Sequence, residues 1–326
     1  MDEFSLIRQY FDVRPLPGHV ARGIGDDAAI LDCPTDCQLL VSTDTLVSGV
    51  HFFPDADPAS LGHKALAVNL SDIAAMGGRP TWFTLALTLP EPDESWLKAF
   101  SASLHKLAES SGVSLVGGDT TSGPLSITIT MIGTAARQKA ICRDNAAVGD
   151  AILVTGALGD AAMALRCRSN DIALDDANTA FLNKRLDCPM PRLEEGALLA
   201  RYASAMIDVS DGLSSDLGHI IAASQVGAEL YAEKLPVSET MQQAARRAGI
   251  DDAEVLSMVL NGGDDYELCA TVPQTQLPGL LSAWSTALAP VIPIGTITAQ
   301  DGLSLHGDDG TVQALNSGGG YKHFNE

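Results

Sequence analysis

The amino-acid sequence predicts an α+β fold in two parts. Its 326 residues are roughly twice the usual domain length of about 150. Segments of alternating apolar residues and segments with a helical apolar period both recur in each half. The hydrophobic period lapses once between them, in AARQKAICRDNAAVGD. Residues 1–138 are therefore expected to form one domain with a mixed sheet and helices, and residues 147–326 a second α+β domain. No linker longer than about 15 residues separates the halves, so they are expected to pack together.

Taken in order, LLVSTDT (39–45) reads as a buried strand ending in polar residues. A helix follows from about Ser60 through SLGHKALAVNLSDIAAMG, with Gly77 as its stop. ESWLKAFSASLHKLAESSG puts Leu97, Phe100, Leu104 and Leu107 on one helical face and closes at Gly112. VSLV (113–116) is a strand running into GGDTT. LSITITMIGTA from Leu125 alternates Leu125, Ile127, Ile129 and Met131 against Ser126, Thr128 and Thr130, a strand with one covered face. The second half restarts with AILVTG and a helix from Asp160. Helices over 177–203, interrupted at Pro189 and Pro191, lead to the strand AMIDVS and a helix from about Leu213. YELCATV, a helix after Gln274, VIPIG and a terminal hairpin turning at DDG complete the chain.

Lys and Arg number 20 against 41 Asp and Glu, a formal net charge of −21. That balance disfavours nucleic acid and anionic membranes, both of which are bound through basic side chains. The six cysteines form no CxxC pair and no zinc-type Cys/His spacing. The N-terminus lacks a basic segment followed by an apolar one, and no apolar run reaches 18 residues. A soluble cytoplasmic protein with reduced thiols is expected.

Twenty-nine of the acids are Asp and 12 are Glu. Six segments share one design, in which a strand end or glycine turn presents Asp beside hydroxyl residues: GIGDDAAI, STDT, NLSD, GGDTT, DVSDG and GGDDYEL. Any one alone is equally a turn or a helix N-cap. Together they are embedded in apolar sequence, where carboxylates require cations or hydrogen bonds. Oxygen donors without clustered His or Cys point to Mg²⁺, which retains waters and bridges carboxylates to phosphates. Calcium stays open, although the chain contains no EF-hand loop. The chain has no Gly-Lys dipeptide, hence no Walker A loop, and no HRD or DFG. VTGALGD (154–160) has the wrong spacing for a dinucleotide fingerprint and reads as a tight turn.

In this order and at these separations, EFSLIRQYF, GIGDDAAI, STDTLVSGVHF, KALAVNLSDIAAMG, TLALTLP, GGDTT, VTGALGD, IDVSDGLSSDLGHI, GGDDYEL and GYKHF resemble the thiamine-monophosphate kinase family. That family lies within the superfamily of aminoimidazole ribonucleotide synthetase and its relatives. The resemblance spans essentially the whole chain. It implies the superfamily's two-domain architecture, with N-terminal domains that pair through their sheets in a homodimer. It also implies transfer of phosphate from ATP to thiamine monophosphate, giving thiamine diphosphate and ADP. By the same resemblance Asp27, Ser42, Thr43, Asp44, Asp72 and Asp119 are Mg²⁺ ligands around the two phosphate chains, with Ser42 or Thr43 acting through a backbone carbonyl. Asp208 and Asp211 serve a further metal from the second domain. Gly118, Asp119, Arg143 and Ser210 match ATP contacts, and His51, Asp264 and Tyr321 match substrate contacts. The family usually has Glu where this chain has Asp264, one methylene shorter. The superfamily's selenophosphate synthetases carry a reactive Cys or selenocysteine and a Lys before the first acidic segment, and the segment before GIGDD here has neither. Two alternatives to the kinase are another ATP-dependent synthetase or kinase of the superfamily and a non-catalytic Mg²⁺–nucleotide-binding homologue.

Donor and acceptor in that reaction are both phosphates. Two unit charges 4 Å apart repel by about 4 kcal/mol at an effective dielectric of 20, so multivalent cations are needed between them. An acceptor phosphate with a second pKa near 6 is already mostly dianionic, and no catalytic base is assigned. His51 stands two residues after Gly49, in the loop leaving STDT. Arg143 lies in the polar interdomain segment, and Tyr321 follows three glycines, where its ring could cover the cationic thiazolium.

Overall fold

The computed structural model describes residues 3–12, 19–25, 28–170 and 172–316. These divide into two compact units. One comprises the described residues up to Ile73 together with Gly78–Lys139, and the other comprises Ala74–Gly77 and the described residues from Ala140 onward.

The first unit contains α1 (Glu3–Tyr10), the short antiparallel pair β1 (Val20–Arg22) and β2 (Ile30–Leu31), and β3 (Cys37–Val47). After these come α2 (Pro58–Ala75), β4 (Arg79–Leu89), α3 (Glu94–Ser111), β5 (Ser114–Ser122) and β6 (Ser126–Ala136). The longer strands form a four-stranded sheet in the order β3-β6-β4-β5, parallel only between β4 and β5, which α3 connects. Asp93 starts α3 by accepting hydrogen bonds from the Ser95 and Trp96 amides at 2.8 and 3.1 Å. Gly112 ends it in the left-handed conformation, φ 67°. Between these caps Leu97, Phe100, Leu104 and Leu107 are buried, and each large side chain removed from water contributes about 1.5–3 kcal/mol. They help to cover the sheet face formed by Ile127, Ile129 and Met131 of β6 and Phe83, Leu85 and Leu87 of β4.

Two expectations change here. Residues 39–45 are not a buried strand. β3 is a sheet edge, and its alternate residues Leu39 and Val41 are 51% and 65% exposed on the uncovered face. In place of apolar cover, Thr43 and Thr45 hydrogen-bond through their hydroxyls to Thr130 and Thr128 on β6, each at 2.9 Å. GGDTT, expected as a turn at a strand end, is itself strand. β5 continues through it because glycine allows a close approach to β4: a Cβ on Gly118, φ 151°, would lie 1.9 Å from the Leu85 carbonyl oxygen.

The second unit runs β7 (Ala151–Thr155), α4 (Asp160–Ser169), α5 (Asp176–Asp187), α6 (Leu193–Leu199), β8 (Ala205–Val209), α7 (Leu213–Ser224) and β9 (Gly227–Tyr231). It continues with α8 (Glu239–Ala248), α9 (Asp252–Asn261), β10 (Glu267–Val272), α10 (Leu277–Ala283), β11 (Val291–Thr298), β12 (Gly302–His306) and β13 (Val312–Leu315). Its seven-stranded sheet has the order β13-β12-β9-β11-β7-β10-β8 and is antiparallel except between β9 and β12. Every residue of β7, β8 and β10 is buried, because helices cover both faces of the sheet there. Ile152, Val154, Ile207 and Val209 pack with α4, α5 and α7 to α9, whereas Leu153, Met206, Leu268 and Ala270 pack with α6 and α10. Since β10 is antiparallel to both β7 and β8, one end of the sheet gathers three loops: 156–159, 210–212 and 262–266.

Candidate active site

In the first unit β3 and α2 build the acidic centre. Ser42 and Asp44 point to the helix-covered face of β3, in register with Met131 and Ile129. Ser42 donates its hydroxyl hydrogen bond to the Asp72 carboxylate on α2. The Asp44 amide, on the free edge of the sheet, donates to the side-chain oxygen of Asn69 one helical turn earlier, at 3.2 Å. α2 thereby joins Ser42, Asp44 and Asp72 in one cluster. His51 is placed beside the end of β3 by a turn in which its Nδ1 accepts from the Val47 amide at 2.9 Å. The neutral ring therefore carries its proton on Nε2.

Thr43 and Asp119 do not join this cluster through their side chains. The Thr43 hydroxyl is engaged by Thr130 on the opposite face. Asp119, exposed on β5, pairs with Ala86, and Asp44 pairs through Ile129 with β6, so β6 and β4 lie between them. Three strand spacings of about 4.8 Å put their backbones about 14 Å apart within one sheet, and Asp119, in register with Ala86 and Thr128, points to the face opposite Asp44. Asp27 and Tyr321 lie outside the described residues.

In the second unit the loops after β8 and before β10 carry the site. Asp208, 5% exposed, is the penultimate residue of β8, opposite Leu268. The Ser210 and Asp211 amides donate to Asp216 in the first turn of α7, at 3.0 and 3.1 Å. Burial, and then the negative charge of Asp208, push the Asp216 carboxyl up to about 7. Asp264 joins the same loop pair, its amide donating to the Ser210 carbonyl at 2.8 Å. Arg143 is placed differently. Its carbonyl accepts from the Ser224 hydroxyl at 2.9 Å, at the far end of α7 from Ser210, and twelve helical residues span about 18 Å.

The sequence did not single out the buried ionic network behind these loops. Glu267, fully buried, accepts from Arg192 Nε and Nη2 at 2.6 Å each, from Arg185 Nη2 at 2.8 Å and from the Thr155 hydroxyl at 2.7 Å. Its carboxylate fills the space over Gly156, φ 61°, where a Cβ would come within 2.2 Å of it. Asp265 sits beside it, 2% exposed, with one oxygen accepting from the Gly159 amide at 2.8 Å and the other without a partner. This is what VTGALGD does: Gly156 leaves room for the Glu267 carboxylate, and the Gly159 amide binds Asp265. The alternation of Asp264 outward with Asp265 and Glu267 inward was the available signal.

Among the described residues no three His, Cys, Asp or Glu side chains are gathered to hold an ion by themselves. The donor chemistry still fits Mg²⁺, which takes one or two carboxylates and leaves its other positions to waters and phosphates. Ser42 with Asp44 and Asp72, and Asp208 with Asp211, offer such oxygen-only sets. No helix among the described residues is long and apolar enough to cross a membrane.

The two units and their acidic edges define a class. Residues 25–135 match the family described as AIR synthase related protein, N-terminal domain, and residues 147–308 its C-terminal domain. Over 325 residues the chain is 47% identical to the thiamine-monophosphate kinase of Salmonella typhimurium, covering 99% of this chain and 98% of that one. The crystal structure of thiamine-monophosphate kinase from Stenotrophomonas maltophilia K279a superposes with a TM-score of 0.83 at 43% identity, over 89% of this chain and 92% of that one. A structure described as AaThiL complexed with AMPPCP and TMP gives 0.79 at 30% identity, over 93% of each chain. The chain belongs to the thiamine-monophosphate kinase family.

Proposed function

We propose that this protein transfers the γ-phosphoryl group of ATP to thiamine monophosphate, giving thiamine diphosphate and ADP. The observation that carries this is the end-to-end identity with thiamine-monophosphate kinases, 47% over 99% of the chain, together with the acidic β3–α2 cluster. The complex of a 30% identical relative with AMPPCP and TMP supports the same pair of substrates.

In this reaction an oxygen of the acceptor phosphate forms a bond to the γ-phosphorus as the bond from that phosphorus to the ADP oxygen breaks. A dianionic acceptor and tetra-anionic ATP become two trianions in their phosphate groups, so no proton is released. This accounts for a site rich in carboxylates but without an assigned base. Bound Mg²⁺ supplies charge neutralisation between the phosphate chains. Ser42, Asp44 and Asp72 would hold it on the first unit, with Asp27 and a Thr43 carbonyl, and Asp208 and Asp211 on the second. Rigid placement of these oxygens on a strand edge and a helix fixes donor and acceptor in line. Gly118 brings the β5 backbone to the nucleotide. Ser210 and Arg143, at opposite ends of α7, contact different parts of ATP. His51, Asp264 and Tyr321 hold the acceptor.

The functional unit in this proposal is a homodimer in the cytoplasm. Its support is the open face of the first sheet, where Leu39 and Val41 stand exposed beside the Thr43–Thr130 and Thr45–Thr128 pairs. The free thiols of all six cysteines fit a reducing compartment.

The test is formation of thiamine diphosphate and ADP from thiamine monophosphate and ATP, with Mg²⁺ present and with the metal chelated. Equal amounts of both products, formed only with metal, are expected. Folded protein giving neither would overturn the assignment.

A further inference from the structure

Asp264 is held in the left-handed backbone region at φ 67°, and Tyr266, two residues on, at φ 50°. Residues other than glycine stay there only where their surroundings over-determine them. Here the surroundings do. The Asp264 amide is bound to the Ser210 carbonyl and the Tyr266 amide to the Val209 carbonyl, both at 2.8 Å. Between and after them, Asp265 is tied inward to the Gly159 amide and Glu267 to two guanidinium groups. Asp is among the residues that best tolerate this conformation, a reason for the shorter acid at position 264.

A shorter carboxylate reaches less far, so its orientation matters more. The Tyr266 hydroxyl donates to Asp264 Oδ1 at 3.1 Å, and the Tyr266 ring is only 8% exposed, so packing fixes the donor. We propose that Tyr266 is a positioning residue whose hydroxyl aims the Asp264 carboxylate at the cationic part of the phosphorylated acceptor. This rests on the assignment of Asp264 to substrate contact made above. In this arrangement Tyr266 acts through Asp264 and contributes nothing to the nucleotide.

The experiment is a double-mutant cycle on the full chain with Mg²⁺, using Y266F, which removes only the hydroxyl, and D264G, which removes the carboxylate while suiting the left-handed backbone. Thiamine monophosphate and ATP are varied separately, and thermal midpoints are compared. Y266F should raise KM for thiamine monophosphate about five- to tenfold, the scale of one ordinary hydrogen bond. KM for ATP, kcat and the midpoint should stay near wild type. D264G should raise the same KM at least as much, and adding Y266F to it should change nothing further. If D264G raises KM but Y266F does not, or if the two effects multiply, Tyr266 does not act through Asp264. Equal rises in both KM values with a lowered midpoint would mark a purely structural tyrosine and overturn the proposal. If D264G leaves KM unchanged, the substrate assignment of Asp264 falls first, and this inference with it.

Discussion

Replacing Glu267 by Gln tests whether the buried network is the mechanical base of the second unit's site. The carboxylate receives four hydrogen bonds at 2.6 to 2.8 Å, three of them from guanidinium groups. An amide of the same shape offers one accepting oxygen, and its NH2 group faces donors. About two charge-assisted bonds are therefore lost, each contributing about 1.5–3 kcal/mol. From the other side, Arg185 and Arg192, at 15% and 16% exposure, lose the carboxylate that neutralises them. Breaking a buried ion pair by removing one partner costs about 3–5 kcal/mol, in agreement with the first figure. For a unit of this size, about 2–4 °C per kcal/mol gives a fall in midpoint of about 6–20 °C. Scanning calorimetry of wild type and E267Q, with far-ultraviolet circular dichroism to confirm the native fold at 20 °C, measures it. A loss below about 1 kcal/mol would refute the reasoning, because Asp160 and Glu195 would then suffice to neutralise the two arginines.

Asp44→Asn should abolish turnover and leave the thermal midpoint near wild type, since the residue is half-buried and its backbone bond to Asn69 is retained; measurable wild-type-like kcat would remove Asp44 from the metal site. Burial raises the Asp265 carboxyl well above its ordinary value, against the opposing Gly159 amide and Arg185 charge. The folded chain then keeps a proton that the unfolded chain releases from about pH 4 upward, so this group's contribution to stability declines as pH rises from there until the folded carboxyl itself ionises. Asp265→Asn, which titrates in neither state, should flatten that part of the curve in urea unfolding, and parallel curves for the two proteins would contradict it. If the proposed dimer forms through the open face of the first sheet, wild type should sediment as a dimer and Val41→Asp as a monomer; a monomeric wild type would overturn the dimer, and a dimeric variant would place the interface elsewhere.

Much of the fold was legible because its helices obey simple rules. Leu97, Phe100, Leu104 and Leu107 bury the face that their spacing predicts, between an Asp cap and a left-handed glycine. The 126–136 strand likewise shows its alternation directly, since one face meets helices and the other carries threonines. β3 differs from its expectation because an apolar run reads the same whether it faces its own core or an uncovered face, and Val41 lies on the latter. The local sequence of β4 carries no clear strand signal, and GGDTT has the composition of a turn although it continues β5. Glycine there permits interstrand approach rather than chain reversal, a distinction made by the neighbouring strand and not by the local sequence.

The acidic segments show where sequence reading runs out for the site. Read together, they point to metal–phosphate chemistry, because repeated carboxylates in apolar sequence need compensation. The structure shows two kinds of compensation. Asp44, Asp72, Asp211 and Asp264 are half-buried, on a strand edge, on α2 and in two loops, where an incoming cation or ligand is able to meet them. Asp160, Asp265 and Glu267 are buried against Arg185, Arg192 and the glycine turn, and their needs are met mostly from within the fold. Both kinds occur inside the single segment GGDDYEL, on alternate sides of one loop. Composition and spacing cannot separate Asp264 from Asp265, but burial does. The outward acid is therefore the one whose loss should appear in substrate binding, and the inward acid the one whose loss should appear in the pH dependence of stability.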